Sequence, residues 1–205
     1  MTSTMWTAVV ALSAAAFVAN PRPGSAVAIS PAVHPGGAPD TLVVNPRASS
    51  VHWAASGLGG SVTRQGTIGM GTGMFVIRHQ QLTSGLFTVN MRQLDDELQG
   101  PELFDVAHNP TAWFSSTGMK RVASDRWELT GNLTIRGVTR PVIFLADVRW
   151  EELGHMIATS TFTIDRREWG IGTRGAGFVS DFSPWAIQLT ITVDARRKQP
   201  AVATP

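Results

Sequence analysis

Residues Arg126–Arg136 read RWELTGNLTIR. One parity carries Trp127, Leu129, Gly131, Leu133 and Ile135, and the other carries Arg126, Glu128, Thr130, Asn132, Thr134 and Arg136. Successive side chains leave a strand on opposite sides, so this alternation marks a long strand with one dry face and one wet face. Trp185–Asp194 repeats it, with Trp185, Ile187, Leu189, Ile191 and Val193 against Ala186, Gln188, Thr190, Thr192 and Asp194. Weaker alternation runs through Ser84–Met91, Pro141–Trp150 and Met156–Ile164. Val51 with Trp53, Val62–Ile68, Met74–Arg78 and Ala112–Ser116 complete the candidate strands. Several of these approach ten residues, longer than the common five or six, and Gly-rich turns separate them. Long strands of this kind suit a tilted, closed antiparallel barrel of about eight strands, which also removes exposed sheet edges. Gln99–Val106, QGPELFDV, is the exception: Pro101 and Glu102 suit a short helical turn near 100–106, with Leu103 and Phe104 closing one end of the barrel.

The composition agrees with a core of this kind. Of 205 residues, 43% are hydrophobic, with seven Trp and nine Phe, and 16% are charged, which excludes disorder as a whole. Cysteine is absent, so no disulfide framework supports the fold. The formal charge is +2, and the only basic cluster is Arg196, Arg197 and Lys198, so there is no footprint for nucleic acid. Near the start, Trp6–Ala19 is an uncharged apolar run of 14 residues, followed by Ala26, Val27 and Ala28. That run is shorter than a membrane span and fits a secretory signal cleaved after Ala28, although no Lys or Arg precedes it. The expected order is a signal peptide over 1–28, a Pro- and Gly-rich flexible leader over 29–40, a barrel over 41–197 and a flexible tail over 198–205.

Catalytic patterns are missing. The five His are scattered, with no pair at metal-binding spacing, and there is no G-x-S-x-G elbow. Gly57–Gly60 and Gly69–Gly73 match neither nucleotide-binding spacing and read as turns, bulges or strand kinks. Asp95, Asp96 and Glu97 read as a solvated loop. No catalytic residue, metal site or cofactor is expected. The alternation itself leaves two interiors open, a core filled by its own side chains or a cavity for one small ligand.

Three stretches carry a resemblance. Leu129–Phe144, LTGNLTIRGVTRPVIF, is similar to the strand-turn-strand signature of the YceI-like family of exported polyisoprenoid-binding proteins. Glu97–Ser116, ELQGPELFDVAHNPTAWFSS, and Ile164–Ile171, IDRREWGI, resemble two further elements of that family in the same order. The resemblance implies a lipocalin-like barrel that takes a long hydrocarbon chain, isoprenoid or fatty acyl, into its lumen in the periplasm or after secretion. Where the family has an R-D-x-H-L segment, this chain has Leu94, Asp95, Asp96, Glu97 and Leu98, which removes a cation and an imidazole and suits a neutral or weakly polar headgroup.

The expected function is a noncatalytic lipid carrier of the cell envelope. Each buried methylene contributes about 0.8 kcal/mol, whereas association costs roughly 4 to 15 kcal/mol, so chains of roughly 16 carbons or more are expected. The ligand-lining candidates on the apolar parity are Phe75, Phe87, Val89, Trp127, Leu129, Leu133, Phe144, Phe162, Ile187, Leu189 and Ile191, with Phe104, Phe114 and Trp169 at the end or mouth. Such a carrier would touch a membrane transiently, and the outward apolar residues Ile143, Leu145 and Ile157 leave a homodimer open. Two alternatives are a barrel enzyme using Asp96, His79 or His108, and an interaction module with a filled core.

Overall fold

A computed structural model of the chain describes residues 40–56, 62–78, 81–152, 154–172 and 185–198. The expected signal peptide, the leader as far as residue 39, the Gly57–Gly60 stretch, His79 and the tail beyond 198 lie outside the described residues. Among those described there are nine strands: β1 (Asp40–Val44), β2 (Ser50–Ser56), β3 (Val62–Arg78), β4 (Gln81–Asn90), β5 (Thr111–Arg121), β6 (Arg126–Ile135), β7 (Val138–Glu152), β8 (His155–Asp165) and β9 (Ala186–Arg197). All neighbours are antiparallel, in the order β3-β2-β9-β8-β7-β6-β5-β4, and β4 pairs back onto β3. The sheet is therefore a closed barrel with eight strand positions.

The ninth strand does not add a position. β1 pairs with β3 through Val43↔Met74 and with β9 through Val44↔Ala195, whereas β2 pairs with the same two strands further along, through Trp53↔Gly66 and Trp53↔Leu189. Together β1 and β2 make one long wall position interrupted at residues 45–49. The interruption is opposite the Gly-rich stretch of β3, where the β3–β4 register shifts between Met70 and Gly73. A methyl on Gly73 would stand 2.7 Å from Val44 Cγ2 and 2.9 Å from Phe87 Cβ, so the bulge lets three strands approach closely. Val62–Ile68 and Met74–Arg78, two separate strands by alternation, are thus one strand with an irregularity inside it.

Inward residues are the apolar parity of each strand. Leu42, Phe75, Phe114, Trp127, Phe144, Met156 and Ile191 are all buried. β6 and β7 are joined by a two-residue hairpin at Arg136 and Gly137, with φ of 52° and 71°, the geometry that matches strand twist. Residues 100–106 form hydrogen-bonded turns and no helix. Leu103 N–H and Asp105 N–H both donate to Gly100 O, and Asp105 takes a φ of 46°, which reverses the chain after one turn. The 3₁₀ turns lie upstream, at Met91–Gln93 and Asp96–Leu98. Leu103 is buried at the barrel end as expected.

Gly131 is one of the tightest points of the interior, and the one where a backbone carbonyl is among the nearest atoms at 2.5 Å. A methyl there would meet the Phe114 ring and Ser115 O at 2.5 Å, and the Ser115 carbonyl cannot swing away as a side chain can. Replacing Gly131 with Ala should lower the unfolding free energy by about 1–3 kcal/mol, the usual cost of overpacking. Denaturant titration measures it, and an unchanged midpoint would show that the ring is not held against this backbone.

Candidate functional site

The barrel interior holds two apolar cavities, one above the other. The upper, of about 80 Å³, lies at the end where β2, β6 and β8 finish, with Trp53, Ile68, Leu98, Ile135, Ile164 and Ile187 on its wall. The lower, of about 30 Å³, lies toward the opposite end and is walled by Phe75, Leu82, Met119, Val148, Met156 and Val193, among others. Phe87, Phe144 and Ile191 wall both. The two phenylalanines belong to a row of rings across the barrel: Phe87 stacks on Phe114 at 5.2 Å between centroids, Phe114 meets Phe144 at 5.2 Å, and Phe144 stacks nearly parallel on Phe162 at 4.5 Å. Such pairs contribute about 0.5–1.5 kcal/mol each beyond the area they bury. The lumen is therefore neither an open tunnel nor a solid core but two chambers with an aromatic waist.

Every residue on the wall of the upper chamber is apolar. Its end is closed by two turns that polar bonds hold outside the chamber. Leu94, Leu98 and Leu103 are buried from one turn, and Trp169 and Ile171 from the other. Gly172 N–H donates to Glu102 O at 3.1 Å, and the Arg136 guanidinium donates to both Gly170 O and Pro101 O, tying the turns together. Arg166, wholly buried, donates to Ile171 O at 2.6 Å. Burial pushes its guanidinium below the ordinary value, with the neighbouring Asp165 carboxylate opposing that shift. Asp165 caps the 3₁₀ turn Arg166–Trp169 by accepting from Arg167 N–H, and the Arg167 side chain bonded to it holds its carboxyl below the ordinary carboxylate value.

All the sequence-derived lining candidates except two meet a chamber. Phe87, Phe144 and Ile191 touch both. Val89, Phe104, Phe114, Leu133, Phe162, Ile187 and Leu189 face the upper one, and Phe75 and Leu129 the lower. Trp127 and Trp169 are buried but line neither. Trp169 is structural, since its indole N–H donates to Leu133 O at 3.1 Å and pins the turn across β6. Leu94, Leu98, Ala112 and Ile171 are wall residues that alternation did not single out. Three of them lie in or beside 3₁₀ turns, where no period of two exists, and Ala112 is too small to stand out.

Asp96 and His108 are exposed and line neither chamber, and His79 lies outside the described residues. His108 hydrogen-bonds Asp105 at 2.8 Å, which raises its pKa above the ordinary value. No three His, Asp or Glu come together in a metal-binding group among the described residues. Glu97 meets Arg64 at 2.7 Å across the rim of the upper end.

A closed antiparallel barrel around a wholly apolar chamber defines a class, the small-molecule-binding barrel. Residues 42–196 match the model of the YceI-like domain, and the chain belongs to that family. Among its relatives, a UPF0312 protein of Pseudomonas syringae pv. tomato is 30% identical over 57% of this chain and 60% of its own length. One of Azotobacter vinelandii is 40% identical over 28% of this chain and 30% of its own length. The chain thus spans less than two thirds of the length of these relatives. Two solved structures share the fold. BcnA of Burkholderia cenocepacia has a TM-score of 0.63 at 17% identity, covering 74% of this chain and 98% of that one. A polyisoprenoid binding domain from Saccharophagus degradans has a TM-score of 0.58 at 9% identity, covering 77% and 98%.

Replacing Trp169 with Phe swaps the indole for a smaller phenyl and removes the bond to Leu133 O. It should lower stability by about 1–3 kcal/mol, because the buried turn loses a hydrogen bond and the smaller ring leaves space behind it. A variant as stable as the parent would show that this bond does not hold the end turn in place.

Proposed function

We propose that this protein is a noncatalytic carrier of the cell envelope that holds the hydrocarbon tail of a long-chain lipid, isoprenoid or fatty acyl, with its upper chamber as the seat. The observation that carries this reading is the chamber's wholly apolar wall, with Phe104 and Leu98 at the closed end and the Phe row below. Nothing polar on that wall could orient a reacting group, and the residues weighed for catalysis, Asp96 and His108, are on the outside. The binding named for the Saccharophagus degradans domain accords with the same ligand class.

The two chambers set a condition on the ligand. About 80 Å³ corresponds to only several water-sized groups, less than a chain of roughly 16 carbons requires. A tail that long lies along the barrel axis only if the waist rings rotate and join the chambers. The headgroup stays at the rim, where the Arg64–Glu97 pair leaves little net charge and favours a neutral or weakly polar group. The apolar run Trp6–Ala19 supports export to the periplasm or beyond. Delivery would bring a transient membrane contact, and the exposed Ile143 and Leu145 keep a homodimer within this reading, while Ile157 is half-buried.

Native mass spectrometry of protein purified from a cell-envelope extract should show a bound long-chain lipid. Ala112→Phe places a ring in the upper chamber and should weaken binding of cis-parinaric acid, a fluorescent long-chain fatty acid, by about tenfold or more. Excluding two methylenes already costs about 1.6 kcal/mol. Circular dichroism confirms that the variant folds. A parent that carries no lipid and takes up no chain, or a folded variant that binds as tightly as the parent, would overturn the proposal.

A further inference from the structure

The barrel closes by its strand order, but two of its ladders are incomplete: β4 and β5 pair only from Leu86↔Ser115 to Asn90↔Thr111, beside the lower chamber, and β7 and β8 part beside the upper one. β8 pairs with β9 along its whole length, from His155↔Arg196 to Asp165↔Ala186. β6 pairs with β7 from Arg126↔Asp147 to Ile135↔Val138. Between β7 and β8, however, pairing stops at Ala146↔Ser160. Above that point residues 138–145 of β7 pair only with β6, and residues 161–165 of β8 pair only with β9. The two strands part into a wedge with its apex at Ala146 and Ser160. There the Ser160 hydroxyl donates to Leu145 O at 2.6 Å, a side chain meeting a carbonyl just past the last ladder pair. At the wide end, among the described residues, a bridge runs through the turn that follows β8, where Arg140 Nε donates to Glu168 O at 2.9 Å.

Pro141 stands on the parted stretch of β7, opposite Asn132 of β6. Proline cannot donate to a ladder and is confined to strand edges or bulges, so its presence fits a strand that has a neighbour on one side only. The wedge is stopped by the Phe144–Phe162 pair, whose rings stack 4.5 Å apart at 6°. Both rings wall the upper chamber. Phe144 is buried and Phe162 half-buried, so the stack is the layer between chamber and exterior. On the β7 side the outer lip is apolar, with Ile143 exposed to 67% and Leu145 to 42%, while the β8 side carries the exposed Thr161 and Thr163.

We infer that the β7–β8 wedge is the entrance through which a hydrocarbon tail slides sideways into the upper chamber, with the Phe144–Phe162 stack as its gate. The inference rests on the lipid-binding reading above. Along the paired ladders a lateral path would break backbone hydrogen bonds in an apolar wall, and each group left unsatisfied there is costly. In the wedge no ladder bonds have to break. Only one aromatic contact has to open, and side-chain rotation is fast. Among the described residues, the end of the chamber is crossed by Arg136 and the Gly172–Glu102 bond, which tie its two turns together.

The test uses the absence of native cysteine. Ile143→Cys with Thr163→Cys places thiols where the ladder would continue if β7 and β8 stayed paired. A short, disulfide-containing bis-maleimide then ties the wedge after folding. Thr130→Cys with Ile143→Cys ties the complete β6–β7 ladder as a control, since those residues are register partners. Stopped-flow uptake and release of cis-parinaric acid are expected to slow by about tenfold or more in the tied wedge, with equilibrium occupancy kept and rates restored by reduction. The control tie should change nothing. Phe162→Leu, which needs no cross-link, should speed both uptake and release. Rates indifferent to the wedge tie and to Phe162→Leu would overturn the entrance while leaving lipid binding intact. An untied parent that takes up no chain would overturn the lipid-binding reading, and the entrance with it.

Discussion

Closure of the sheet through the β3–β4 ladder is the constraint on which the molecule depends. Once eight strand positions form a ring, every inward side chain must share one interior of fixed girth, and no element can move outward to make room. The chain satisfies that girth with a few large rings and several glycines. Gly131 gives up its side chain to the Phe114 ring, Gly85 to the Phe75 ring and Gly66 to the Trp53 indole, each at a separation that a methyl could not share. The rings so admitted meet across the middle, and the space they leave on either side forms the two chambers. The cavity is thus a by-product of large residues packed opposite small ones.

Much of this is legible in the alternation. β6 and β9 are written without ambiguity, and the parity of Phe87, Leu129, Phe144 and Ile191 correctly turns them inward. Period two specifies which face a residue takes but not its height along the barrel. For that reason Trp127 shares the buried character of the chamber residues and yet lines neither chamber, while Trp169 lies in a 3₁₀ turn where period two does not apply. β1 escapes notice because its five residues are half of a wall position, meaningful only beside β2. β3 reads as two strands because Gly69, Gly71 and Gly73 carry no side chains from which a period could be seen. The short helix expected near 100–106 fails for a backbone reason: Asp105 enters the left-handed region, and the segment turns back on itself.

Polar chemistry surrounds the apolar chamber without entering it. Arg136, Arg140 and Arg166 all spend guanidinium donors on main-chain carbonyls of the turns at the upper end. The planar, multidentate guanidinium suits this task better than an ammonium, since one side chain can satisfy carbonyls from two segments. Carbonyls exposed by irregular backbone are thereby answered from outside, and the inner wall stays free of polar groups. Strands alone would leave a barrel open at this end; the arginines make it possible to close it with turns.

The split wall position formed by β1 and β2 has a topological corollary. Asp40 is bound to Arg197 at 2.8 Å, and Lys198 N–H donates to Thr41 O, so the first and last described residues of the fold stand side by side. They do so on the rim of the small chamber, beside the end of β3 at Ile77, with the large chamber at the other pole. A leash or fused partner attached at either terminus of the barrel would therefore hold it by its narrow pole and present the roomy one outward.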